Sequence, residues 1–306
     1  MLARVDSLGH HERLELPNGR RRKLFVGDEI VAVYGNRYAP QQFEAIVPGS
    51  LDPCHLVAGG GVAGKALSWH RRISRGPTAI TPIGLVADAT GQIVNLAEHA
   101  LAPAWSVEGE RPATIAVVGT SMDSGKTTTA AFLAHGLARA GVSTGFAKIT
   151  GTGSGGDLWH LSDAGADPVL DFTDAGLAST YRVHQERLEC VLTTLLHHLR
   201  EASVQVAILE IADGLFQAET SGLLRCALFR ELVDGVLFAA ADAMGASGGV
   251  DWLQRHGLRT LAISGVLTTS PLDVREALAA TRVPVMSRAE LSDPVSIRKL
   301  VEQARA

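Results

Sequence analysis

Ile115-Ala-Val-Val-Gly-Thr-Ser-Met-Asp-Ser-Gly-Lys-Thr-Thr-Thr129 is the stretch that decides the fold. Four apolar residues run into a loop bounded by Gly119 and Gly125, and Lys126-Thr127 then opens a segment with Phe132, Leu133 and Leu137 on one helical face, stopped by Gly141. Strand, glycine-bounded loop, lysine, hydroxyl and helix in this order put backbone N–H groups and the positive end of a helix where a polyphosphate sits. The candidate nucleotide-binding residues are therefore Gly119, Thr120, Ser121, Met122, Asp123, Ser124, Gly125, Lys126, Thr127 and Thr128. Lys126 is expected on the terminal phosphates, and the hydroxyl of Thr127 on Mg²⁺. Five residues separate the two glycines where the common phosphate loop has four, which makes this loop a variant.

Outward from that loop the chain alternates in period. Apolar runs at 114–118, 144–149, 204–209, 235–239, 260–267 and 283–286 read as buried parallel strands, with helical stretches at 126–140 and 183–202 between them. The last helix is expected to take Ser292 as N-cap, with Pro294 in its first turn. The fold class is α/β: a doubly wound, mostly parallel P-loop domain over 111–306, with ligands expected beyond the carboxyl ends of its strands. Residues 1–105 differ, carrying short apolar runs (13–16, 29–34, 43–47, 79–80, 84–87, 92–96) broken by Gly, Pro and Asn. They predict a small β-rich domain, a barrel or sandwich, ending in a linker at 108–112, so the domains are 1–110 and 111–306.

A second glycine cluster, Gly59-Gly-Gly-Val-Ala-Gly-Lys-Ala66, has the common four-residue spacing. It reads as a turn of the β-rich domain, because Ala66 cannot ligate a metal and the residues after it are too broken for a packed helix.

Composition bounds the rest. The 306 residues are 46% hydrophobic and 20% charged, with a formal net charge of −4, which suits a globular protein and argues against a partner held by excess cations, such as nucleic acid or a membrane surface. The run Arg20-Arg21-Arg22-Lys23 reads as a solvated hairpin tip after Pro17-Asn18-Gly19. Three cysteines without a CxxC pair suggest neither a disulfide framework nor a zinc site. The first residues lack the apolar core of an export signal and no run approaches about 18 apolar residues, so the reading is cytoplasmic. The pairs His10-His11 and His197-His198 read as solvent-facing and are assigned no metal.

Phosphoryl chemistry needs a carboxylate for Mg²⁺ from a neighbouring strand end. Glu210, closing the run 206–209, is the first candidate, with Asp213 in reserve and Asp157, after the glycine-rich stretch 151–156, a second metal acid or an N-cap. Lys148 closes the second strand on the same edge, where a cation would steer an anionic substrate or spread phosphoryl charge. Trp159 and His160 either line the pocket or pack.

The loop Gly119-Thr-Ser-Met-Asp-Ser-Gly-Lys-Thr127 resembles that of dethiobiotin synthetase, and Gly145-Phe-Ala-Lys148 resembles that enzyme's substrate-side lysine strand, with Glu210 at the place of its Mg²⁺ glutamate. The same span is similar to a P-loop family that includes D-glutamate N-acetyltransferases, through Asp167-Pro-Val-Leu-Asp-Phe-Thr-Asp-Ala-Gly176, Glu210 and Ser221. The likeness covers about 113–290, and Thr268-Thr269 stand where dethiobiotin synthetase reads adenine with an asparagine. With the residue readings above it leads to a kinase or ATP-dependent ligase that uses ATP and Mg²⁺ to activate a small anionic, carboxylate-bearing substrate by phosphoryl transfer, with Lys126, Lys148 and Glu210 as catalytic residues and Thr127 with Glu210 or Asp157 at the metal. Two alternatives stay open: a nucleotide-switched binding protein, and an acyltransferase whose phosphate loop holds coenzyme A. A homodimer is an assembly this reading leaves open.

Overall fold

The computed structural model describes residues 1–107 and 109–305; Glu108, the first residue of the expected linker, and Ala306 lie outside the described residues. The chain forms two compact units. One comprises 1–102 with the short segments 151–159 and 172–182, and the other comprises 103–150, 160–171 and 183–306. The sequence reading places its boundary near residue 110 and keeps both short segments in the C-terminal domain. Contacts made far along the chain, which local composition does not register, group them with the N-terminal unit instead.

The N-terminal strands are β1 (Leu2–Ser7), β2 (Arg13–Glu15), β3 (Arg21–Lys23), β4 (Glu29–Val31), β5 (Val33–Tyr34), β6 (Arg37–Tyr38), β7 (Phe43–Ile46), β8 (Cys54–Ala58), β9 (Val62–Trp69) and β10 (Thr78–Gly84). They pair in the order β4-β1-β10-β8-β9-β7-β6, antiparallel throughout, with β5 alongside β9 in parallel. Side chains alternate with the pleat, so Ala3 and Val5 of β1 and Phe43 and Ala45 of β7 are buried while Arg4 and Asp6 face out. β8 is buried on both faces, with Leu56 in the cluster of Val5, Leu24, Ile30 and Ile80, and Val57 in a second cluster with Ala45 and Val62.

The Asn18-Gly19 turn joins β2 to β3, with Gly19 at φ 79° and Asn18 Oδ1 accepting from Arg20 N at 3.1 Å, and the three basic residues of β3 stand exposed. The cluster at Gly59 is the turn between antiparallel β8 and β9, and Lys65 lies exposed within β9, with no helix behind it. The runs 84–87 and 92–96 are not strands. They meet only at an isolated Ala87–Ile93 bridge, and Asn95 and Glu98 form a capping box that opens a short 3₁₀ turn instead.

In the second unit β11 (Ala113–Gly119), β12 (Thr144–Lys148), β13 (Val169–Asp171), β14 (Val206–Glu210), β15 (Gly235–Ala239) and β16 (Thr260–Ser264) form a wholly parallel sheet in the order β13-β12-β14-β11-β15-β16. The doubly wound sheet with a β-rich partner domain agrees with the fold class read from the sequence. The helices are α1 (Lys126–Arg139), α2 (Gly156–Asp163), α3 (Gln185–Glu201), α4 (Ala218–Arg225), α5 (Ala227–Leu232), α6 (Ala243–Arg255), α7 (Pro271–Thr281), α8 (Arg288–Leu291) and α9 (Pro294–Arg305). On α1, Leu133 and Leu137 are fully buried, each worth roughly 1.5–3 kcal/mol against exposure. Among the described residues no helix is long and apolar enough to cross a membrane.

Two local expectations need correction. The run 283–286 touches the sheet only through a Val285–Ile263 bridge, because Pro284 lacks the N–H that a ladder requires. α9 is capped by Asp293, whose Oδ2 accepts from Ser296 N at 2.9 Å, while Ser292 ends α8.

The His10-His11 pair is not wholly solvent-facing either. It lies in the extended link between β1 and β2, and His11 is half-buried against Phe43, its Nε2 3.0 Å from Val57 O. His197 and His198 on α3 are also half-buried. Burial, with Arg37 and His10 adding positive charge, pushes the His11 imidazole from 6.5 down to about 3. A group whose folded-state pKa is depressed keeps its proton off while the unfolded chain takes one up, so stability is lost as pH falls from 6.5 toward about 3. His11→Gln should therefore show a shallower acid-side fall in melting temperature than the parent, and parallel curves over that range would refute the assignment.

Candidate functional site

The carboxyl ends of β11, β14 and β15 lie side by side, since β11 pairs with both neighbours in parallel. This is the central crevice of a doubly wound sheet, where such folds place their ligands. The chain leaves β11 at Gly119, turns through Asp123 at φ 64° and Gly125 at φ 97°, and enters α1 at Lys126. Gly125 is required twice over, by its left-handed backbone and because a Cβ there would stand 3.0 Å from Gly265 Cα. The loop is tied to the sheet by Thr120 N donating to Ala239 O at 3.0 Å and Val266 N donating to Ser124 O at 3.1 Å.

Lys126 is buried, and its ammonium donates to Ser121 O at 2.7 Å, so the side chain folds back over its own loop. Burial pushes its pKa below the ordinary 10.5, opposed by the Glu210 and Asp213 carboxylates, so Asp213 belongs to the electrostatic surroundings of this lysine.

Glu210 ends β14 and is 1% exposed. Its Oε1 accepts from Thr127 Oγ1 at 3.1 Å and pairs with Lys148 Nζ at 3.3 Å, whereas its Oε2 is buried without a partner. The pairing with Lys148 follows from register: Lys148 of β12 is the strand partner of Glu210 of β14 on one side and of Asp171 of β13 on the other. Thr120 Oγ1 and Ser124 Oγ are likewise buried and unpartnered. Buried polar atoms left without partners are costly and rare, and here three of them gather around one loop.

The donor set suits Mg²⁺ in a phosphate site. Such an ion is held by one or two protein oxygens and completes its shell from phosphates and water. Thr127 Oγ1 and Glu210 Oε2 supply hard oxygen donors, and among the described residues no group of three or more His, Cys, Asp or Glu could hold a metal by itself. The sequence candidates Lys126, Thr127, Lys148 and Glu210 are thus joined by direct contacts or charge, while Asp157 stands in the first turn of α2, within the segment that groups with the N-terminal unit. Trp159 lies in that segment too, against Gly19, and His160 falls in the other unit. Met122 and Thr128 are half-buried around the loop. Thr268 and Thr269 donate their hydroxyl protons to Gly265 O and Val266 O, both at 2.8 Å, so neither offers that proton to a base.

Sequence reasoning missed the closing loops. Gly214, after β14, lies so close that a Cβ would collide with the Thr120 backbone, and Gly245, in the first turn of α6, comes within 3.0 Å of Thr120 Cγ2 by the same measure. A glycine a few residues beyond a strand end was the available signal.

No protein-family model and no curated protein sequence matches the chain. Solved structures similar to it include the signal recognition particle receptor FtsY of Elizabethkingia anophelis, at 17% identity over 69% of this chain and 68% of that one, with TM-score 0.42. Chloroplast FtsY of Physcomitrella patens matches at 15% over 69% and 70%, TM-score 0.41. The signal recognition particle 54 kDa protein of Aeropyrum pernix, in complex with GDP, matches at 18% over 66% and 51%, TM-score 0.41. Likeness of this degree carries no argument about activity, and the resemblance to dethiobiotin synthetase stays with the phosphate loop and the Lys148 strand.

Lys126→Ala should lower nucleotide turnover by about a hundredfold, near 3 kcal/mol, with the fold intact. Lys65→Ala, in the β8–β9 hairpin, should leave turnover unchanged. Glu210→Gln should raise the Mg²⁺ midpoint more than it weakens metal-free nucleotide binding, because an amide is a poorer ligand for a hard cation. Initial rates over a Mg²⁺ titration check all three, and equal losses from Lys65→Ala and Lys126→Ala would move the phosphate site.

Proposed function

We propose that the C-terminal unit is a Mg²⁺-dependent nucleoside triphosphatase whose nucleotide state controls a protein contact, with ATP as the expected nucleotide and a second copy of the chain as the expected partner. Mg²⁺, when held there, would supply positive charge that offsets the charge developing on the phosphates. Lys126 would turn from Ser121 O to those phosphates, and Thr120 Oγ1 and Ser124 Oγ, with the loop N–H groups, would donate to phosphate oxygens. Thr127 and Glu210 would hold the cation.

The observation that carries the switch is a pair of exposed apolar side chains. Phe216 is 89% exposed and Met244 83% exposed. Each lies within two residues of a glycine packed on Thr120: Gly214 in the loop after β14 and Gly245 in α6. A change at the phosphates that moves Thr120 would therefore reach Phe216 through the Thr120 backbone at Gly214 and Met244 through the Thr120 methyl at Gly245. Large apolar groups held in water beside a ligand site suit a surface that is covered in one state.

A specific observation favours a second reading, phosphoryl transfer to a small carboxylate-bearing acceptor. Lys148 places a cation on the same carboxyl edge as Glu210, where an anionic acceptor would meet it. The resemblance to dethiobiotin synthetase supports it too, and coenzyme A remains the ligand of the acyl-transfer variant.

Light scattering should show a mass increase with Mg²⁺ and ATP, or GTP, that reverses on hydrolysis. Phe216→Asp should abolish that increase and leave nucleotide affinity within a few-fold. A chain that stays monomeric with every nucleotide, yet converts a small acid to a product seen by mass spectrometry, would replace the switch with the transferase. Stabilisation by coenzyme A alone would favour acyl transfer.

A further inference from the structure

We propose that the N-terminal unit carries a binding site for a small organic cation, in a cavity of about 370 Å³ walled by aromatic rings around the Glu44 carboxylate. Every residue lining it belongs to that unit. The volume lies in the range of small-molecule pockets.

Strand register builds the floor. Tyr38 of β6, Glu44 of β7 and Ser68 of β9 are successive antiparallel partners, which places their side chains on one face. Trp69, 47% exposed, and His70 follow at the rim. Tyr181, from the segment 172–182, closes the other side, its ring centroid 5.5 Å from that of Tyr38.

The carboxylate is oriented by neutral donors. Tyr181 OH donates to Glu44 Oε1 at 3.2 Å, and Ser68 Oγ donates to Oε2 at 3.3 Å. A carboxylate accepts about four hydrogen bonds, so these two hold it in place and leave acceptor capacity toward the cavity.

The chain itself shows which charge this corner accepts. Arg182 Nη2 stands 3.9 Å from Glu44 Oε1, and the same guanidinium lies 5.3 Å from the Tyr181 ring centroid. Carboxylate and aromatic face together form the recognition chemistry of ammonium ligands. The Arg182 side chain is 53% exposed and its ion pair is long, so it contributes little and can be displaced. An anion would meet Glu44, and a neutral guest would bury that carboxylate without a counter-charge, which is unfavourable. A compact alkylammonium satisfies both walls and carboxylate.

The test uses the full chain and three probes of one shape: choline, its uncharged isostere 3,3-dimethylbutan-1-ol, and anionic 3,3-dimethylbutanoate. Binding is read by tryptophan fluorescence, with Trp69→Phe to assign the signal, and by calorimetry. Choline should saturate, and the other two should bind about tenfold more weakly or not at all. Glu44→Gln should weaken choline about tenfold with the melting temperature and nucleotide affinity unchanged. Arg182→Ala, checked by its melting temperature because Arg182 has φ 62°, should tighten choline several-fold by removing the competing cation. No saturable choline binding, equal binding of all three probes, or a loss of choline affinity in Arg182→Ala would each overturn the proposal.

Discussion

One buried oxygen organises the C-terminal unit's site. Glu210 Oε1 receives the Thr127 hydroxyl from the first turn of α1 and the Lys148 ammonium from the end of β12, so three elements meet at a single carboxylate. Without counter-charge, an ionised group that is 1% exposed would cost several kcal/mol in desolvation. Lys148 supplies that charge, and because Lys148 and Glu210 are paired residues of adjacent parallel strands, the sheet register enforces the contact. The partnerless Oε2 of the same carboxylate gives the arrangement its chemical direction, since it is satisfied best by a cation.

The phosphate loop and its surroundings depend on each other. Lys126 is buried, which lowers its pKa, and the charges of Glu210 and Asp213 oppose that shift. Thr120 is approached closely by the loop after β14 and by α6, and Ser124 is tied to the turn after β16, so the segments after three strand ends brace the loop between Gly119 and Gly125. Phe216 and Met244 extend from two of those braces into solvent, which links the site physically to a surface.

The sequence made legible whatever is local. β11, the loop and α1 lie within 27 residues, 113–139, and each signal there, from the apolar run to Lys126 and the glycine at 125, acts on its immediate neighbours. Lys148 and Glu210 were each legible as strand ends, but their contact was not, because it is set by register between segments some 60 residues apart. Composition predicted a β-rich N-terminal half but counted the runs 84–87 and 92–96 toward it, and the second of these gives way to a capping box at Asn95. Tyr181 was invisible as a partner of Tyr38 and Glu44, since nothing local marks a segment that joins a sheet more than a hundred residues upstream.

Glu44 and Glu210 show two ways of holding a carboxylate ready. Glu44 is partly exposed and steadied by two hydroxyls, so water can share its charge and any cation near it is exchangeable. Glu210 is sealed from water and paired with Lys148, whose side chain is 13% exposed, so its charge is balanced by a fixed cation and not by solvent. Burial thus ties the charge of Glu210 to that of Lys148 through strand register, whereas the two hydroxyls on Glu44 leave its charge shared with water.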